Sequence, residues 1–350
     1  MEYNIGIDLH SNNSVLGVLD QHAQRVFSKK LPNDLALILK TLAPFKSPQS
    51  GVVVESTFNW YWLVDGLREH GYTVHLANPV ESRQKYSGLK YTDDKHDAYW
   101  LAQLLQLNIL PTGYVMPYDQ RAIRDLLRKR WHLVKLRNSL ILSLQNIVAR
   151  NTGQSVAASQ IKEETFENIA PPAFVNEHIQ LAGQASKETI DFLSVQIDRL
   201  ETVILRSLEP NAQYHRLKTI PGVGTIIAWT LLLETGPIDR FPSPGRYASY
   251  CRKVGSARIS NNKKKGEGNT KNGNRYLAWA FSEAAVFARR YYPECQKFYD
   301  KKLKKRNEPV AHNALAHKLC RAAYHILKNE TEFDMTKLFH QPVVEKTASQ

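Results

Sequence analysis

Cysteine is scarce in this chain: Cys251, Cys295 and Cys320 are the only three in 350 residues. Their wide spacing excludes a C-x-x-C zinc site and a disulfide scaffold, and fits a reducing compartment. No run of about 18 apolar residues occurs, so no helix is expected to span a membrane. The chain enters a strand-like run at Tyr3 without a secretory leader, which makes the cytoplasm the expected location. The twelve histidines are scattered, with no H-E-x-x-H arrangement. G-x-S-x-G, Walker A and complete G-x-G-x-x-G signatures are also missing, so hydrolase, NTPase and dinucleotide readings have no anchor. Acidic charge is short as well. Asp and Glu number 33 against 47 Lys and Arg, and the formal charge of +14 points to a polyanionic partner.

The acids that are present are placed suggestively. Thr92 to Leu105 reads as the start of an amphipathic helix, capped by Thr92 or Asp93, with Leu101, Leu104 and Leu105 on one face. Asp94 and Asp97 stand three apart and project from one side of its first turn. Their repulsion is only partly relieved by the helix N-terminus, and a divalent cation would relieve it fully. Two further acids end buried strand-like runs, Asp8 in Tyr3 to His10 and Glu55 after Val52-Val53-Val54. Chemistry in α/β sheets gathers at the carboxyl ends of strands. Asp8, Glu55, Asp94 and Asp97 could therefore converge on one hard-metal site, suited to Mg²⁺ or Mn²⁺ and not to zinc.

Residues 3 to 9, 13 to 19 and 24 to 30 read as a three-strand meander. A helix over 34–41, a buried strand at 52–54, a helix over 61–70 and a strand over 72–76 follow. From Asp119 the pattern turns to long helix. Leu126, Leu133, Leu140 and Ile147 recur every seventh residue, and Arg124, Arg128 and Arg130 crowd the remaining faces. A second seam runs through Ile190, Leu193, Ile197, Leu200 and Ile204, with a linker or hairpin tip over 151–172 between them. The seams suit an internal bundle or a coiled coil that pairs subunits, and the basic excess suits a phosphate backbone.

Leu217 to Thr225, with Gly222 and Gly224, has a helix-hairpin-helix pattern that serves equally as a core turn or as a phosphate cradle. From Arg252 to Arg275 eight basic residues face one acid, Glu267. Arg252, Lys253, Arg258, Lys263, Lys264, Lys265, Lys271 and Arg275, interleaved with glycines, are expected to face a solvated anion and not a core. Helices are expected over 278–289 and 313–327, and the tail beyond His340 reads as disordered.

The β-β-β-α-β-α-β-α order with this acid set resembles the DEDD transposases of insertion-sequence family 110, including its 1111 subgroup and related site-specific DNA invertases. The resemblance rests on I-G-I-D at Asp8, V-V-E-S-T at Glu55 and D-K-H-D-A at Asp94 and Asp97, and runs from Ile5 to about Leu327. It implies an α/β RuvC-like (RNase H fold) catalytic domain over 1–118, a helical coiled-coil region over 119–210, a mostly helical transposase domain over 211–330 and a tail over 331–350. It also implies a recombinase that holds Mg²⁺ on the four acids. The family's serine nucleophile falls at or near Ser260, which would form a phosphoserine link and release a 3′-hydroxyl. Asn261 and Asn262 stand where relatives often carry glycines, which leaves Ser256 as an alternative. The implied partners are donor and target double-stranded DNA, a noncoding bridge or seek RNA as guide, and further copies of the chain as dimer or tetramer. The implied setting is a prokaryotic nucleoid. Two other readings remain: a junction nuclease in which water attacks, and a non-enzymatic nucleic-acid-binding protein.

Overall fold

The computed structural model describes residues 2–79, 82, 93–169, 176–255, 258–260, 262–266 and 272–339. They divide into two compact units, Met1–Val115 and Met116–Gln350. Ser256, Asn261, Lys271, Thr92 and the tail beyond His340, all named above, lie outside the described residues.

The first unit is built on a five-stranded sheet. Strands β1 (Tyr3–Leu9), β2 (Asn13–Asp20) and β3 (Arg25–Pro32) form the expected antiparallel meander, and β4 (Gly51–Glu55) and β5 (Thr73–Ala77) add in parallel, giving the order β3-β2-β1-β4-β5. Helices α1 (Leu35–Leu42) and α2 (Tyr61–Glu69) come from the crossovers. Strand alternation sorts β1 into two faces. Ile5, Ile7 and Leu9 join Ile38, Leu63 and Leu67 in the main core, whereas Gly6 and Asp8 turn to the other face.

That other face receives helix α3 (Asp94–Gln106), and glycine is what admits it. Gly6 and Gly17 are cross-strand partners. A Cβ on Gly6 would stand 1.9 Å from the Ala98 carbonyl oxygen, and one on Gly17 would stand 3.0 Å from the Tyr99 nitrogen. The helix backbone therefore rests directly on the sheet, with Ala98 and Ala102 fully buried. This mixed sheet with flanking helices is the RNase H-like topology expected from the sequence.

The second unit is helical. Helix α4 (Tyr118–Thr152) and, after the short helices α5 (Ala158–Glu163) and α6 (Phe166–Ile169), helix α7 (Glu177–Ser207) form an antiparallel hairpin. Its direction follows from Arg130 meeting Glu201 and Arg137 meeting Ser194, seven residues on in one helix and seven back in the other. Ile141, Leu144 and Val148 pack with Ile190 in the hairpin's own core, so both heptad seams have apolar partners within one chain.

The remaining elements are α8 (Ala212–Lys218), α9 (Thr225–Thr235), α10 (Pro244–Tyr250), the β6 (Arg258–Ser260) and β7 (Lys263–Gly266) hairpin, α11 (Arg275–Tyr291), α12 (Pro293–Leu303), α13 (Glu308–Asn329) and α14 (Met335–Phe339). Their core centres on fully buried Tyr247, Leu277, Phe281, Leu315 and Leu319. The α8–α9 connection fits against α11 through Gly222, whose φ of 78° is left-handed and whose Cβ would stand 2.0 Å from the Ala284 carbonyl oxygen. Gly222 thus makes a core contact, while Gly224, the α9 N-cap, has open space beside it.

Candidate metal centre

Asp8 lies near the end of β1 and Glu55 closes β4. Because Ile7 pairs with Val54, the next step along both parallel strands sets Asp8 beside Glu55. Asp93 caps α3 by accepting a 2.7 Å hydrogen bond from the His96 amide, which leaves Asp94 and Asp97 in the first turn, turned toward the β1 end. The helix that carries them is fixed by the glycine seat beneath Ala98.

Asp8 records the convergence electrostatically. It is 5% exposed, and burial pushes its carboxyl up to about 6; His10 pulls it back, while Glu55, Asp97 and Asp94 each raise it further. All four acids named from the sequence therefore act on one place. The tight cluster, however, has a different membership. Asp8, His10 and Asp94 bring one ligand atom each within 4.8 Å of one another.

His10 is the residue that sequence reasoning missed. Its Nε2 stands 3.2 Å from Asp8 Oδ2 and 3.5 Å from Asp94 Oδ2, yet this buried nitrogen makes a hydrogen bond to neither. Three donor atoms aimed at a common point without bonding one another suit an ion between them. The backbone of His10 is held from both sides, because Asn33 Nδ2 and Asn59 Nδ2 both donate to its carbonyl oxygen, at 3.0 and 2.9 Å. Ser14 and Thr57 hydroxyls donate in turn to the amide oxygens of Asn33 and Asn59. The available signal was the two-residue period, which puts His10 on the face of Asp8.

The raised Asp8 pKa sets a pH dependence. Between its unfolded value near 3.8 and its folded value of about 6, the folded chain binds more protons than the unfolded one. The contribution of Asp8 to stability is therefore present in full below about 3.8 and lost as the pH rises through 6. A divalent ion held among these groups would reverse that loss. Thermal denaturation with and without chelator is expected to show a Mn²⁺-dependent rise in Tm that is large above pH 6 and fades below it.

The basic residues named from the sequence divide into several groups. Arg128 gives its Nε and Nη2 to the Glu234 carboxylate at 2.6 and 2.8 Å, and Arg130 pairs with Glu201 at 2.7 Å, so both guanidinium groups cross-link helices. Arg124 approaches Asp125. Lys253 corrects the expectation that the whole run from Arg252 to Arg275 faces solvent. It is 6% exposed, and its Nζ donates to Ser282 Oγ at 2.6 Å beside the buried thiols of Cys251 and Cys320. Its methylenes cover core apolar surface and one hydroxyl takes its charge. Lys263, Lys265 and Arg275 are exposed, and Arg258 and Lys264 lie on the β6–β7 hairpin.

Ser260 ends β6, paired in register with Lys263. The segment that carries it is closed at its base. The Asn274 amide donates to the Tyr250 carbonyl oxygen at 2.6 Å, Arg252 Nε donates to the Gly273 carbonyl oxygen at 2.9 Å, and a Cβ on Gly273 would stand 2.4 Å from the Tyr250 carbonyl oxygen. Asn274 also caps α11 and donates Nδ2 to Glu234 at 2.7 Å.

An RNase H-like sheet with carboxylates and an imidazole gathered at one end of β1 defines a candidate metal-dependent nuclease domain. The comparisons place it further. Residues 5–150 match the DEDD transposase family of IS110 elements, and residues 214–300 match the transposase IS116/IS110/IS902 family. The chain is similar to a "Probable family 20 transposase" of Pseudomonas aeruginosa, 24% identical over 281 residues that cover 75% of this chain and 79% of that protein. It is also similar to the "Transposase for insertion sequence element IS1111A" of Coxiella burnetii, 21% identical over 282 residues, 78% of this chain and 74% of that one. Models of IS110-type transposases thus match both parts of the chain, and together with the candidate metal centre they mark it as an enzyme that acts on DNA.

Proposed function

We propose that this transposase cuts DNA phosphodiester bonds at the centre on β1, β4 and α3, with Mg²⁺ or Mn²⁺ held by Asp8, Glu55, Asp94 and Asp97 together with His10. The observation that carries the reading is the unbonded His10 nitrogen facing two carboxylate oxygens, one of them on a buried acid whose pKa is raised. When bound, such an ion supplies Lewis acidity toward a phosphoryl oxygen and lowers the pKa of a bound water. His10 makes the donor set mixed, which favours Mn²⁺ over Mg²⁺ relative to the all-oxygen set read from the sequence. In the absence of an ion, protonation of Asp8 relieves the repulsion among the acids; the Asn33 and Asn59 amides hold the His10 backbone in place in either state. Cleavage with no divalent-metal dependence would refute this reading.

A second route, in which Ser260 is the nucleophile, is supported by the family resemblance and by the closed base of its segment. Here the Ser260 Oγ–phosphorus bond forms, the phosphorus–O3′ bond breaks, and the departing O3′ takes up a proton. Ser260→Ala is expected to remove an SDS-stable protein–DNA adduct, with Ser256→Ala retaining it. An adduct that survives Ser260→Ala and is lost in Ser256→Ala would reassign the nucleophile to Ser256, and cleavage by the unaltered chain with no adduct would leave water as the attacking group. Donor and target duplex DNA, a guide RNA and an oligomeric assembly belong to the same proposal, supported by the charge of +14 and the resemblance. Sequencing the RNA that copurifies with the full chain tests the guide; recovery of unrelated cellular RNA alone would reject it.

A further inference from the structure

A cavity of about 220 Å³ opens on the outer flank of α3, lined by Arg25, Asp93, Lys95, His96 and Tyr99. Arg25 begins the edge strand β3, and its guanidinium carbon stands over the Tyr99 ring, 4.6 Å from the centroid. Tyr99 is itself fixed, because its hydroxyl donates to the Phe27 carbonyl oxygen at 3.0 Å. His96 Nδ1 stands 3.5 Å from Arg25 Nη2, at the long limit of a hydrogen bond. A guanidinium anchored over an aromatic ring is held in place without spending its N–H donors on the ring, and such a donor fork suits two oxygens of one phosphate.

Among the described residues no carboxylate forms an ion pair with Arg25 or Lys95, although both are exposed. The acid that lines the cavity, Asp93, is committed to capping α3 through the His96 amide. Two other cations of this unit are engaged: Lys30 approaches Asp94 at 3.6 Å and Lys46 donates to the His70 carbonyl oxygen at 2.6 Å. Asp94 adjoins Asp93 and Lys95 in sequence, so the cavity begins within one helical turn of the metal centre. A strand that reaches four carboxylates must first be brought to a negative surface. Lys95 on the adjoining turn of the same helix and Arg25 on β3 offset that repulsion.

We infer that the Arg25–Lys95–His96–Tyr99 cavity is a subsite for the phosphodiester backbone of the DNA strand being cut, contacting phosphates beside the scissile one. The inference rests on the proposed cleavage at the neighbouring acids. Arg25 takes one phosphate through its fork, Lys95 takes a second as a point charge, and Tyr99 keeps Arg25 in place. The contacts read no base, so they position the strand without selecting sequence.

The test uses the full-length chain, a short fluorescein-labelled DNA duplex and an RNA duplex of the same sequence. For the double variant Arg25→Ala, Lys95→Ala, the slope of log affinity against log salt for DNA is expected to fall by about 1.8, two phosphates at about 0.9 each. Lys40→Ala, an exposed lysine on α1, is expected to keep the original slope. Arg25→Lys is expected to keep the slope and weaken binding, because charge is retained and the fork is lost. The Mn²⁺-dependent rise in Tm should persist in the double variant, showing the fold and acidic centre intact. An unchanged slope, an equal fall in Lys40→Ala, or a loss confined to RNA would each overturn the inference. Cleavage that survives Asp8→Asn would defeat the functional proposal and leave the salt result standing.

Discussion

Asp8→Asn is expected to lower DNA strand cleavage by more than a hundredfold and to leave DNA affinity unchanged. Loss of an outer-shell partner typically costs about 10–100-fold in metal affinity or activity, and Asp8 lies closer than that, at the middle of the acid set. The same variant should be more stable than the parent in chelator above pH 6. Burial and the neighbouring acids penalise the ionised Asp8 carboxylate there, and asparagine has no charge to penalise. A gain in ion-free stability joined to a loss of activity marks a side chain kept for chemistry at the expense of the fold. Cleavage assays and melting curves on one preparation read both, and a destabilised, active variant would contradict the assignment.

Glu234→Ala is expected to have the largest effect on the second unit. Its carboxylate is 3% exposed and carries both the bidentate Arg128 pair and the Asn274 amide. Removing one partner of a buried pair costs about 3–5 kcal/mol. The lower end applies, because the Arg128 side chain is 28% exposed and water can reach part of it. About 3 kcal/mol corresponds to a fall in Tm of about 6–12 °C for a unit of this size. Glu234→Gln, which preserves an acceptor for Asn274, is expected to fall between the two. Arg128→Met combined with Glu234→Met should cost less than the two single changes added, since no charge is then left alone. Strict additivity in that cycle would show that the pair is not coupled.

What the sequence reveals and what it hides follow from the range of the interactions. The alternation in β1 and β2, the acid at the end of β4 and the Asp93 cap are local patterns, and they locate three strands, one helix start and four acids. The heptads of α4 and α7 are equally legible, because a repeat over thirty residues outweighs any single substitution. His10 is hidden, since one histidine after a strand has no pattern of its own until the fold brings Asp94 to it. Lys253 misleads for a related reason. Its neighbours in sequence are cations and glycines, but its surroundings are Ser282, Cys251 and Cys320, contributed by α11, the end of α10 and α13. The β6–β7 hairpin is masked by lysines, which strands use sparingly except at edges. Arg128 and Glu234 are 106 residues apart, a distance at which charge patterning along a helix carries no information about the partner.

The contact between Tyr250 and Asn274 has a consequence for how this enzyme can vary. The polypeptide leaves α10 and rejoins at α11 with its ends held together by the 2.6 Å Tyr250–Asn274 bond and the 2.9 Å Arg252–Gly273 bond, so the β6–β7 hairpin is reached through a closed base. Lengthening a loop whose ends are already joined adds only a logarithmic entropy cost, about 0.6 kcal/mol per doubling. The hairpin that bears Ser260 can therefore be resized or exchanged between relatives while the helices at its root keep their places.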